Sequence, residues 1–183
     1  FISFSNLFRS NDIRIKNVNL NKVNFDLNKK NYNFFVKLLN NNFSNFNLEI
    51  KNSNIFYRNI ENGVLFINKI DQLKYYYDLK DNKNTFVAKN EIFNIPYTVE
   101  IKNYKDEKKI ITKVNFDFLK LQVKNILSYK QVPKNGLIEF TYNKKKSEGT
   151  YQLNENLFNF NYINKSLGDD FKYEGIILSL IHI

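Results

Sequence analysis

Apolar and polar residues alternate at period 2 along most of the chain, the pattern of strands with one buried face. Phe46, Leu48 and Ile50 share one face of the segment 46–50. The apolar runs 53–60 and 64–70 flank Asn62–Gly63. Asn-Gly between two such runs predicts a hairpin, because both residues tolerate positive φ. Leu73, Tyr75, Tyr77 and Leu79 fall on one face of the next run, so Tyr75 and Tyr77 are expected inward and Tyr76 outward. A polar turn follows at 80–84. The segment 85–102 is expected to be one long extended stretch, with Phe93, Ile95, Tyr97, Val99 and Ile101 on one side and Asn94, Pro96, Thr98 and Glu100 on the other. Pro96 has no N–H to give to a ladder, which predicts an edge, a bulge or an outward-facing backbone nitrogen.

A charged turn is expected at 103–109. In 111–125 the apolar parity changes once. Val114, Phe116 and Phe118 are even, whereas Leu119, Leu121 and Val123 are odd, which predicts a β-bulge. A second Asn-Gly pair, Asn135–Gly136, precedes the inward candidates Ile138, Phe140 and Tyr142, and a turn is expected at 144–149. A short hairpin over 150–162 and a last strand at 171–177 complete the pattern.

One segment departs from period 2. Tyr32, Phe35, Val36 and Leu39 stand at i, i+3, i+4, i+7, with Asn31 as a possible cap and Asn40 to Asn42 as a stop. This predicts a short amphipathic helix over about 31–41. The expected fold is therefore mainly β: a large, curved, antiparallel meander sheet of about ten strands, open and groove-like or half-barrel-like, with one helix near the N-terminus.

Composition refines this. The 183 residues carry a formal net charge of +10, with no Cys, Met or Trp and a single His. Disulfides, thiolate metal sites and Cys nucleophiles are excluded. Phe, Tyr, Ile, Asn and Lys make up well over half of the chain, and all have A/T-rich codons. Lys outnumbers Arg 25 to 3, whereas base readers depend on Arg for bidentate contacts. The charge is therefore read as codon bias and solvated lysine rather than nucleic-acid binding. The absence of Met predicts a fragment. The last six residues, 178–183 (LSLIHI), match a translated sequencing adapter, so the natural segment is expected to be one β-rich unit over 1–177, without His182.

No catalytic, cofactor or metal constellation is found. There is no glycine-rich phosphate loop, no HExxH, no DxDxDG and no GxSxG. Asp106, Glu107, Asp169 and Asp170 lie in expected turns beside lysines and read as solvated. The chain is expected to be non-enzymatic. What remains is an apolar sheet face carrying Phe93, Ile95, Tyr97, Val99, Ile101, Phe116, Phe118, Ile138, Phe140 and Tyr142. Such a face suits either a packed core, in a structural or adhesive β-rich surface protein, or an apolar groove for acyl chains, where each buried CH₂ gains roughly 0.8 kcal/mol.

The order of the segments SNIFYRNIENGVLFINKI, VAKNEIFNIPYTVEIKN, LKLQVKN, GLIEFTYN and FKYEG, from Phe46 to Ile177, resembles AsmA-like proteins of AT-rich bacteria. The YxxFVKLL helix segment before them fits as well. The resemblance implies a β-rich body projecting into the periplasm from an N-terminal inner-membrane anchor that lies outside this segment. It implies a groove for phospholipid or another acyl-chain lipid, and a part in outer-membrane biogenesis. It brings no catalytic residue, cofactor, metal or nucleic-acid partner.

Overall fold

The computed structural model describes residues 16–28, 46–154, 157–163 and 173–178. They form one open sheet of twelve strands. The strands are β1 (Asn17–Asn21), β2 (Asn24–Leu27), β3 (Asn47–Arg58), β4 (Val64–Asp78), β5 (Lys83–Ile92), β6 (Ile95–Tyr104), β7 (Lys109–Phe116), β8 (Leu121–Ser128), β9 (Lys134–Tyr142), β10 (Lys145–Asn154), β11 (Leu157–Ile163) and β12 (Tyr173–Leu178). From β3 to β12 each strand pairs antiparallel with the next, the expected meander. The expected helix over 31–41 lies outside the described residues.

The pattern-based reading missed the first two strands. β1 and β2 both run parallel to β3, one along each half of it. They amount to one edge strand broken by a kink that β3 shares: Lys22 has φ 58° and Asn52 has φ 49°. The break is held by hydrogen bonds. Lys22 N donates to Lys51 O at 3.1 Å, and Val23 N donates to the Ser53 hydroxyl at 3.0 Å. That hydroxyl in turn donates to Lys51 O at 2.8 Å. Ser53 is buried, and its oxygen stands in for the ladder contact that the kink removes.

Several boundaries differ from expectation. The two runs 64–70 and 73–79 are a single strand, β4, whose pairing to β5 shifts between Ile70 and Gln72. The long stretch 85–102 is instead the hairpin β5–β6, turning at Phe93 (φ 50°) and Asn94 (φ 60°). The parity change in 111–125 is a tight turn at 117–120 and not a bulge: Lys120 N donates to Asp117 O at 3.0 Å. A tight turn resets parity as a bulge does, so alternation alone does not separate them. Asn135–Gly136 lies inside β9, and the next turn is at Asn143–Lys144 rather than 144–149. β7 pairs with β6 only from Thr98 onward, so Pro96 lies beyond that ladder, as its missing N–H requires.

Register assigns each side chain to a face, because directly paired residues project the same way. The outer face is mostly polar, with Ile67 and Val87 exposed on it, and carries cross-strand ion pairs: Lys74 with Glu49 (3.7 Å), Lys124 with Glu139 (3.1 Å), and Lys69 with Glu91. The inner face is apolar. Its core is Ile50, Ile70, Leu73 and Ala88, with Leu20, Phe25, Leu48, Ile55 and Phe86 packed around it. Tyr75 is buried there while Tyr76 on the outer face is exposed, as alternation predicts.

Candidate functional site: an apolar sheet face

One row of the inner face is unbroken. Leu20, Ile50, Leu73, Ala88, Val99, Val114, Val123 and Phe140 stand directly opposite one another on successive strands from β1 to β9. With strands about 4.8 Å apart, this row crosses the sheet over roughly 34 Å, perpendicular to the strands. It ends at Ser147 on β10. Ala88 is fully buried, and Ile50 and Leu73 nearly so. Val99, Val114, Val123 and Phe140 are only half-buried. The apolar surface is thus covered at the β3–β5 end and open from β6 to β9.

At the covered end an apolar cleft of about 420 Å³ opens between β1, β2, β3, β4 and β5. Leu20, Phe25, Leu48, Ile50, Leu73 and Phe86 are among the side chains that line it. None of the ten residues expected from sequence is among them. Its overlooked signal was the alternation of Val18, Leu20, Phe25 and Leu27 in the first two strands.

Of those ten residues, eight share the inner face. Ile95, Tyr97, Val99 and Ile101 lie on β6, opposite Ile92, Asn90, Ala88 and Phe86. Phe116 on β7 stacks on Tyr97, with ring centroids 5.1 Å apart. Ile138, Phe140 and Tyr142 lie on β9 opposite Asn125, Val123 and Leu121. Phe93 and Phe118 do not belong to the face. Both sit at turn tips and are 73% and 80% exposed, because the expected continuous strand and bulge are hairpin turns.

Tyrosine–asparagine contacts border the row, and sequence reasoning missed them. The Tyr97 hydroxyl donates to Asn68 Oδ1, that of Tyr129 to Asn103 Oδ1, and that of Tyr151 to Asn125 Oδ1, each at 2.8 Å. For Tyr97 and Tyr151 donor and acceptor are two strands apart, so the ring reaches over the strand between, a span of about 9.6 Å; Tyr129, just past the end of β8, reaches Asn103 on β6. Burial raises the pKa of Tyr97, Tyr129 and Tyr151, and of Tyr57 and Tyr75 as well. For Tyr57 the neighbouring Tyr97 adds to the effect. For Tyr97 and Tyr151 the asparagine contacts oppose it in part. These hydroxyls are neutral donors at neutral pH. Asn68 and Asn103 are buried, and a buried amide without such a partner would be costly.

The face is apolar along its centre and bordered by hydrogen-bonded tyrosines. Among the described residues, no group of three or more His, Cys, Asp or Glu could hold a metal ion. The face can exclude water from an apolar ligand and can donate or accept hydrogen bonds along its borders. No protein-family model, no curated protein and no solved structure matches the chain.

Proposed function

We propose that the inner face binds acyl-chain lipid, a phospholipid or a relative of it, as a non-enzymatic, AsmA-like segment working in the periplasm in support of outer-membrane biogenesis. The supporting observation is the transverse row from Leu20 to Phe140. It offers an extended chain eight consecutive apolar contacts without a polar interruption. A packed core would keep that row buried throughout, whereas Val99, Val114, Val123 and Phe140 retain accessible surface. Large apolar surfaces that stay accessible mark binding sites more often than idle surface. A chain laid along the row would gain roughly 0.8 kcal/mol per methylene buried.

The test is photo-crosslinking in cells from a photoreactive residue at Tyr97 or Phe140, with an outer-face control at Lys113. Lipid adducts at the first two positions and none at Lys113 are expected. A lack of adducts at both inner positions would refute the proposal.

A further inference from the structure

In a meander, alternate turns emerge at the same end of the sheet. The turns β3–β4 (59–63), β5–β6 (Phe93–Asn94), β7–β8 (117–120) and β9–β10 (Asn143–Lys144) therefore form one rim. The turns 79–82, 105–108 and 129–133 form the other. Among the described residues, the first rim exposes Ile60, Phe93, Phe118, Leu119 and Tyr142, and the second exposes Leu79 and Val132 among large hydrophobic residues. Among the described residues, the three exposed rings that sit at turns are all on the first rim. Successive turns there are two strand spacings, or about 9.6 Å, apart, so Phe93, Phe118 and Tyr142 stand in line along the sheet edge.

A second observation concerns the backbone. Phe93 takes the first place of a two-residue turn with φ 50°. That position favours Asn, Asp or Gly, and a bulky side chain there is disfavoured. Its ring is 73% exposed and lies 6.1 Å from Phe66 in a tilted contact, too little packing to account for the choice. A strained residue that exposes an aromatic ring points to function rather than folding. Charge agrees at the Tyr142 tip, where Lys144, Lys145 and Lys146 are exposed; at the Phe118 tip exposed Lys120 is balanced by exposed Asp117.

We propose that this rim docks on a lipid bilayer. Phe93, Phe118, Leu119 and Tyr142 enter the headgroup boundary, and the lysines meet anionic headgroups. A bilayer fits better than a protein partner. Protein interfaces concentrate their energy in a contiguous, close-packed centre, whereas separated apolar tips flanked by lysines need only a fluid apolar layer behind an anionic surface. The proposal concerns the rim and is independent of what the inner face holds.

The chain contains no Trp, so single replacements make clean fluorescence reporters. With vesicles of phosphatidylcholine and phosphatidylglycerol, Phe118→Trp is expected to shift its emission to the blue, and Leu79→Trp on the opposite rim is not. The triple variant Phe93→Asn, Phe118→Ser, Tyr142→Ser is expected to partition onto vesicles about tenfold more weakly or worse. Phe93→Asn alone should weaken partitioning while holding or raising the thermal midpoint, a combination that a merely structural Phe93 would not give. Equal shifts from both reporters, unchanged partitioning of the triple variant, or no vesicle association by the parent chain would each overturn the proposal. If the triple variant fails to fold, the two reporters still decide.

Discussion

The ring of Tyr151 on β10 lies over the backbone of Gly136 on β9. A Cβ built at Gly136 would stand 2.0 Å from the ring's Cζ, and the hydroxyl reaches past β9 to Asn125 on β8. Glycine is required at 136 for space, since the ring occupies the volume of any side chain. Gly136→Ala should destabilise by about 1–3 kcal/mol in chemical denaturation, the usual cost of overpacking. In a Tyr151→Leu background the same substitution should cost much less, and the double-mutant cycle would measure the coupling.

The three tyrosine–asparagine contacts should act as fasteners across three strands. Tyr97→Phe removes the donor to Asn68, which is buried. A loss of about 1–3 kcal/mol is expected, since a buried acceptor loses its partner while the ring's packing is kept. Tyr76→Phe, on the outer face, should change stability by less than about 0.5 kcal/mol.

Stability should fall in alkali. Burial raises the pKa of Tyr57, Tyr75, Tyr97, Tyr129 and Tyr151 above the ordinary value of 10.0. Above that value the unfolded chain releases protons that the folded chain still holds, so unfolding becomes easier as pH rises. The contribution is fully present below pH 10.0 and is lost as pH rises through the folded-state values. Denaturant midpoints measured upward from pH 9 should decline, and Tyr97→Phe should make the decline shallower.

Adjacent residues on opposite faces should separate lipid binding from charge. Val114 lies in the apolar row and Lys113 on the outer face, opposite Glu100. Val114→Asp should abolish lipid crosslinking from Phe140, because a carboxylate would be left in an apolar track. Lys113→Asp should leave it unchanged. Equal effects would count against a one-sided binding face.

The meander and its two faces were legible because period-2 alternation carries both facts at once. Eight of the ten residues share the inner face for that reason. Phe93 and Phe118 were misplaced because each keeps the parity of its neighbours although the chain has already begun to turn. Positive φ at a phenylalanine breaks the usual association of such turns with Asn and Gly. Conversely, Asn135–Gly136 carries the turn signature inside a strand, since Gly136 serves the Tyr151 ring. The parallel pairing of β1 and β2 with β3, and the contacts that skip a strand, depend on residues 26–30 positions apart; no local pattern encodes them.

Each strand from β4 to β11 pairs with its two sequence neighbours, the tyrosine–asparagine contacts reach one strand further, and no second layer of described residues lies over the sheet. Such an assembly behaves as a one-dimensional array whose stability is a sum of neighbour terms. It should therefore fray rather than melt at once. Amide exchange should be slowest around Ile70 and Ala88, where burial is deepest, and quicken strand by strand toward β10. A lesion in the middle would divide the array into two separately melting parts, whereas one near an end would only shorten it.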